Sequence, residues 1–487
     1  MNASTPATSG DGPWARIHAQ VQRRPDAPAL VAGGLVVSRR RLAGAVVAMA
    51  GRLRDHGLAA GDSLGWLGLN SVEMLAALFA CEHIGARFVP LNWRLAAAEL
   101  AAIGEHAGLQ QLHADEAMLS LADAVRAQLP LPRPHAGGHR DGDLLLAYTS
   151  GTTGRPKGAV HTAAGMAANI DAAIDAQGLD ERTRALAVLP LFHVGGLAIQ
   201  TLPTLAAGGC VLLHARFDPD AWFAAVAHDR PTTSLLVPAV MRALVDHPTW
   251  PQADLSSLDF ANSGSQIVPA PLIEAFHARG VPVAQVWGST ETGPVSIVLR
   301  PGEALAHVGS TGRPARGVQL RLVRADGRDA APGEVGEIRV RAPNLMRAYH
   351  RDDHPDSFDR EGWFHSGDLA RADADGFVTV VGRSKELIIS GGENVYPAEI
   401  ENLLAHHPDV AECAVIGVPD ARWGEVPVLA VVPRAGRWVD EAALRALFDA
   451  RLARFKHPRR IVVVDALPKT ALGKVQRASL RQRLPPD

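Results

Sequence analysis

The stretch Tyr148-Thr-Ser-Gly-Thr-Thr-Gly-Arg-Pro-Lys-Gly158 decides how this chain is read. It follows an apolar run, Leu144–Ala147, and precedes an Ala-rich segment with helical spacing from about Thr162 to Ala176, so a strand–loop–helix junction is expected. Such junctions bind phosphate. Gly151, Gly154 and Gly158 let backbone N–H groups turn inward, the hydroxyls of Thr149, Ser150, Thr152 and Thr153 offer donors, and Lys157 adds a mobile point charge. It is not a Walker A loop, because Pro156 stands where glycine should precede the lysine and Gly158 replaces the Mg²⁺-binding hydroxyl residue. From composition alone, a flexible Gly/Ser/Thr linker reads the same way.

At 487 residues the chain is expected to form more than one domain. With 47% hydrophobic residues, 21% charged residues and a net charge of -2, it has the composition of a globular protein and no basic excess for nucleic acid. Cys81, Cys210 and Cys413 are isolated and odd in number, which indicates neither a disulfide framework nor a zinc site and suits a reducing cytosol. No signal peptide is read at the N-terminus. Val194–Leu213 carries no charge, but Gln200, Pro203 and Gly208-Gly209 predict a buried helix, a turn and a strand rather than a transmembrane segment. Only five lysines stand against 44 arginines. Where positive charge alone is wanted this chain uses arginine, so the remaining lysines are candidates for sites that need a compact ammonium; codon bias is the alternative cause of the excess.

From Trp14 to about Asp115, helical patterns (Arg39–His56, Ser71–Ile84, Ala96–Ala107) alternate with short apolar runs (Ser63–Leu67, Arg87–Leu91), and Gln110–Arg140 reads as a linker. The rhythm resumes with strands expected near Ala185–Leu189, Cys210–His214, Ser234–Val237, Ser257–Asn262 and Val281–Val286, giving mostly parallel, helix-covered sheets. Between Gly309 and Gly382, short alternating strands and glycine-rich turns predict a small antiparallel barrel or sheet. From about Lys385 a compact α+β unit follows, with helices at Pro397–Ala405 and Glu441–Arg454.

Five further motifs carry chemistry. His193, in Leu189-Pro-Leu-Phe-His-Val-Gly-Gly-Leu197, follows a predicted strand, where open sheets place ligands; a lone histidine is also an ordinary core residue. Gln285-Val-Trp-Gly-Ser-Thr-Glu-Thr-Gly293 sets Glu291 among hydroxyls, a donor set suited to Mg²⁺ beside phosphates. Gly362-Trp-Phe-His-Ser-Gly-Asp-Leu369 presents Asp368 in an expected turn, where a carboxylate can accept two ribose hydroxyls or act as a cap. Gly382-Arg-Ser-Lys385 leads into Gly391-Gly392, and Pro468-Lys-Thr-Ala-Leu-Gly-Lys474 sets a lysine on a glycine-containing loop.

In this order the six motifs resemble the adenylate-forming superfamily, which includes acyl-CoA synthetases, firefly luciferases and peptide-synthetase adenylation domains. The resemblance implies an N-terminal domain over 1–382, a hinge at 383–386 centred on Lys385, and a mobile C-terminal α+β domain over 387–487. It implies an ATP site from Thr149, Ser150, Gly151, Thr152, Thr153, Gly154, Lys157, Gly264, Ser265, Trp287, Gly288, Ser289, Thr290, Asp368 and Arg383. Thr290 would contact phosphate, Asp368 the ribose, Glu291 the Mg²⁺, and Lys474 would be the adenylation lysine. The aromatic residue at 287 would lie against adenine; the usual tyrosine is Trp287 here, which keeps stacking and loses a phenol contact. Gly391 and Gly392 would admit the pantetheine arm of coenzyme A, and His193, Val194, Gly264 and Gly288 would line the acyl pocket.

The implied activity is activation of a carboxylic acid by ATP to an acyl-adenylate, then transfer to coenzyme A. His193–Leu197 lacks the Asp that amino-acid-using relatives place there, Val286 stands where malonate-using relatives carry Arg, and Gly288 stands where acetate-specific relatives carry Trp. A hydrophobic monocarboxylate, fatty or aryl/hydroxycinnamic, is therefore expected, with room for it at Gly288. A stand-alone enzyme loading a carrier protein would keep the same ATP motifs. An idle nucleotide-binding relative would be expected to lack Lys474 or Glu291. The oligomeric state is open, a homodimer being one option.

Overall fold

In the computed structural model, residues 12–132, 140–149, 157–352, 354–391, 393–420, 422–470 and 473–484 are described. Near-continuous apolar runs of four or five residues form strands buried on both faces, as parallel sheets require. One sheet has six strands in the order Ala348–Tyr349, Lys157–Thr162, Asp143–Thr149, Arg87–Leu91, Ser63–Leu67, Gln111–Ala114. A second has nine, and its middle strands run parallel from Val283–Trp287 through Phe260–Gly264, Thr233–Leu236, Arg184–Ala187 and Cys210–Leu213 to Pro28–Ala32.

The helix Val72–Ile84 lies between them. Ser71 caps it by accepting from the Met74 N–H, and Gly85 ends it at φ 83°. Its buried run Met74–Cys81 joins Leu64 and Phe88 of the first sheet to Val211 and Leu213 of the second in one core. A helix apolar all round belongs in such a sandwiched position. The expected helices Arg39–His56 and Ala96–Ala107 appear as Arg39–Asp55 and Ala97–Ala107.

Two expectations are corrected. The loop after Tyr148 does not lead straight into a helix: Lys157–Thr162 is a strand paired antiparallel with Asp143–Thr149, and the helix Ala163–Gln177 starts only after it. Ala159, Val160 and His161 are buried, so both faces of this short run are covered and extension wins over helix. The stretch between Thr149 and Lys157 thus joins two paired antiparallel strands rather than a strand and a helix. The presumed linker Gln110–Arg140 also holds structure, the edge strand Gln111–Ala114 and the helix Leu119–Gln128, which buries Ala122 and Val125 against Leu100 and Leu112.

The antiparallel unit takes the sheet form rather than a barrel, with four strands in linear order: Gln319–Val323, Gly336–Arg341, Phe364–Ala372, Val378–Arg383. A separate sheet is built entirely after residue 387, around the long pair Val410–Asp420 and Gly424–Pro433, with Pro397–Leu404 and Glu441–Arg451 packed on one face. The uncharged run at 194–213 divides into helical turns over 194–207, a glycine turn and the strand Cys210–Leu213. No helix among the described residues is long and apolar enough to cross a membrane.

The first helix, Pro13–Arg23, has no cap of its own, and Glu82 from the buried helix accepts from the Trp14 N–H at 3.0 and 3.2 Å. Burial raises this carboxyl from 4.5 to about 7, the Trp14 N–H and Arg16 opposing. Because the folded value is the higher one, its contribution to stability is full below 4.5 and is lost as pH rises through about 7. Glu82→Gln keeps an acceptor without the charge. Relative to the parent, this variant should therefore gain stability between pH 5 and pH 8, measured by urea melts at about those two values; parallel pH profiles would remove the assignment.

Candidate active site

The carboxyl ends of the parallel strands face the antiparallel sheet across a cavity of about 520 Å³, a size suited to a small molecule. Gly264 and Ser265 leave one strand end, and Trp287 and Gly288 leave the next. Asp368 enters from the opposite side. It lies within the strand Phe364–Ala372 rather than in the turn expected from its sequence, and the chain reaches it through Gly367 at φ 69° beside an irregularity in strand register.

Asp368 is almost wholly buried. The Trp287 indole N–H donates to its Oδ2 at 2.9 Å, and the Arg383 Nε forms an ion pair with Oδ1 at 2.8 Å. Burial pushes the carboxyl above its ordinary value, while Arg383, the indole N–H and Lys474 hold it down. Lys474 lines the same cavity. Burial and then Arg383 lower its ammonium, with Glu386 and Asp368 acting in the opposite direction. A tight turn holds the lysine: the Gly473 N–H donates to the Thr470 carbonyl and the Thr470 N–H to that of Lys474, and Gly473, at φ 77°, abuts Ala239 so closely that a Cβ would lie 3.1 Å away.

A second group forms around Glu291, in the short turn Thr290–Thr292. The Tyr349 hydroxyl donates to Glu291 Oε1 at 2.6 Å, and Lys157 Nζ lies 5.5 Å from the centre of the tyrosine ring. Ala348–Tyr349 pairs with Lys157–Thr162, so the hairpin that carries Lys157 also carries Tyr349 to the glutamate. His161, kept neutral by burial that lowers it to about 4, sits beside Thr290. Sequence reading missed Tyr349. It is one of only three tyrosines and sits in no motif of its own, and only the pairing of distant strands brings it to Glu291.

Thr149 faces Lys157 across the hairpin. Ser150, Gly151, Thr152, Thr153, Gly154 and Gly392 lie outside the described residues. Ser289 heads the Thr290–Thr292 turn, its N–H donating to Thr292 Oγ1 at 2.8 Å. His193 is not among the residues lining the cavity. Its Nε2 has no hydrogen-bond partner among the described residues, and burial, with Arg94 nearby, lowers it to about 4. Val194 beside it is buried, and Gly195 approaches Ser265, which holds a positive φ of 69°. Lys385 is exposed in the turn Ser384–Glu386, whereas Lys456 and Lys469 are paired with Glu399 and Glu412.

Packing also bears on the glycines. A Cβ at Gly288 would overlap the Pro294 carbonyl, and one at Gly264 the Val286 carbonyl, so close backbone packing already demands glycine at both places. Gly391, at φ 61°, would press a Cβ within 2.7 Å of the Trp423 ring, and its N–H donates to the Trp423 carbonyl.

The model of the AMP-binding enzyme family matches residues 17–350, and that of the AMP-binding enzyme C-terminal domain matches 399–474. The chain belongs to the AMP-binding enzyme family. Its relatives within the family include the indoleacetate–CoA ligase of Aromatoleum aromaticum, 45% identical over 92% of this chain and 93% of that one. Another is a feruloyl-CoA synthase of Amycolatopsis, 40% identical over 97% and 99%. Among solved AMP-binding enzymes, the o-succinylbenzoate CoA synthetase of Bacillus subtilis in complex with its acyl-adenylate intermediate superposes with a TM-score of 0.84, at 31% identity over 96% of this chain and 97% of that one. These relatives match across both parts of the fold.

Gly288→Ala tests the packing explanation within this AMP-binding enzyme. It should cost about 1–3 kcal/mol of stability in urea melts, the range for forcing atoms into a filled space. An unchanged midpoint would show that the Pro294 carbonyl yields freely.

Proposed function

We propose that this adenylate-forming enzyme activates an aromatic monocarboxylic acid at the expense of ATP and transfers the acyl group to coenzyme A. The observation that carries the reading is the convergence of Asp368, with its Trp287 and Arg383 partners, and Lys474 on one cavity. The aromatic acid is favoured because the relatives at 45% and 40% identity are named for indoleacetate and ferulate. Fatty acids remain the second class, since a medium/long-chain fatty acid–CoA ligase of Mycobacterium tuberculosis is 33% identical over 95% of the chain.

A free carboxylate is a poor acyl donor because its leaving group would be an oxide. In the first half-reaction a carboxylate oxygen attacks the α-phosphorus of ATP, the bond to the bridging oxygen breaks, and pyrophosphate departs. The obstacle is repulsion between an anionic nucleophile and a polyphosphate. Lys474, desolvated by its burial at the cavity, would offset it between the two anions, and Lys157 would do so on the hairpin side. Asp368 would accept from the ribose hydroxyls, and Trp287 and Gly288 would border the base. Glu291 fits Mg²⁺, because a single carboxylate beside the Thr290 hydroxyl suits an ion that takes its other ligands from phosphate and water. When bound, the ion would neutralise charge on the polyphosphate.

In the second half-reaction the coenzyme A sulfur attacks the acyl carbon, the C–O bond to the phosphate breaks, and AMP leaves. This needs Lys474 out of the way. Exposed Lys385 is the proposed hinge, with residues 1–382 on one side and 387–487 on the other. A hinge requires only a few residues to absorb the rotation. The three free thiols suit a reducing cytosol as the working compartment.

Purified protein with Mg-ATP and indoleacetate, ferulate, benzoate, octanoate, palmitate, acetate or malonate, each with and without coenzyme A, tests the reading through AMP and pyrophosphate release. Coenzyme A-dependent AMP release should be greatest with an aryl acid; a clear preference for palmitate would move the substrate class. Lys474→Ala should slow adenylation by at least about 10²-fold, the scale of losing one preorganised charge, while thioester formation from supplied acyl-adenylate persists. Equal loss in both steps would rule out a lysine that serves only the first.

A further inference from the structure

We propose that Trp287 is a positioning residue for the nucleotide sugar: its indole N–H fixes the Asp368 carboxylate so that the remaining acceptor sites face the two ribose hydroxyls. This rests on reading Asp368 as the ribose ligand.

The two partners come from different sheets. Trp287 ends the strand Val283–Trp287 of the nine-stranded sheet, and Asp368 belongs to the antiparallel sheet. The indole is only 8% exposed and packs on Ile297, Ile338, Val340 and Ala370, so its ring cannot turn without opening that core. Its N–H can only donate. The bond to Oδ2 at 2.9 Å therefore aims the carboxylate in one sense, from a rigid base.

Arg383 is the other partner, but its side chain is 46% exposed, which leaves the indole as the buried, fixed one. An ionised carboxylate offers about four acceptor sites. The indole and the guanidinium each engage one oxygen, and the sites left over match a vicinal diol, which brings two donors. Stacking against a base would be served equally by phenylalanine, so the indole N–H supplies something the aromatic face does not. The same bond links the sheet that presents Gly264 and Gly288 to the sheet that presents the carboxylate.

The test compares ATP, 2′-deoxy-ATP and 3′-deoxy-ATP as substrates for the parent, Trp287→Phe and Asp368→Ala, with thermal melts to establish folding. A second form replaces Trp287 by 3-benzothienylalanine, which keeps the ring shape and lacks the N–H. If the indole positions Asp368, both Trp287 variants raise KM for ATP by about ten-fold, the scale of one hydrogen bond to a charged group. The parent's preference for ATP over the deoxy nucleotides should then shrink while kcat changes little. A purely structural tryptophan would raise KM for all three nucleotides alike and leave the preference intact, which would overturn the inference. If Asp368→Ala removes the preference and the Trp287 variants keep it, positioning by Trp287 fails and the ribose reading stands. If Asp368→Ala itself keeps the preference, the ribose reading fails, and this inference with it.

Discussion

A carboxylate removed from water must be compensated where it stands, and in this protein that requirement falls on Asp368. Desolvation costs an ion several kcal/mol unless partners replace the lost water. The partners come from three places: an indole from the nine-stranded sheet, a guanidinium from the last antiparallel strand, and an ammonium from the turn at Thr470–Lys474. Regions more than eighty residues apart in sequence are thereby tied to one charge. The balance also runs the other way, since the lysine is itself desolvated and is supported by Asp368 and Glu386.

The Glu291 group is built on a different plan. A hairpin bonded along both edges presents Lys157 and Tyr349 together, and the tyrosine hydroxyl holds the glutamate. Strand pairing fixes this group, whereas the Asp368 group depends on how separate sheets pack. Gly264 and Gly288, which line the cavity, also permit close backbone approaches to the Val286 and Pro294 carbonyls.

Much of this was legible in the sequence. Ser63–Leu67 and Arg87–Leu91 could be read residue for residue, because a buried parallel strand is a short apolar run bounded by turn residues. Lys157, Glu291, Asp368 and Lys474 stood out as polar side chains in glycine-rich surroundings. Other features were hidden because they are properties of pairing. Lys157–Thr162 carries a glycine and an alanine and reads as the end of a loop running into the helix expected from about Thr162, until Asp143–Thr149 lies beside it. Asp368 resembles a turn residue because the strand bends through Gly367. The Trp287 N–H was read as a lost phenol, since nothing near position 287 in the chain announces a carboxylate at 368. Tyr349 is hidden for the same reason.

The scarcity of lysine bears on how the protein can be observed. An amine-directed label meets five side chains, two of them ion-paired at Lys456 and Lys469 and one, Lys157, lying over an aromatic ring. Lys385 stands open at the turn, and Lys474 gives up its proton more readily than an exposed lysine because it is buried beside a guanidinium. Mass-spectrometric footprinting of these two amines, one outside and one within the cavity, would report on the disposition of the C-terminal segment with no fluorophore or engineered cysteine, an arrangement that an ordinary lysine-rich surface would drown in background.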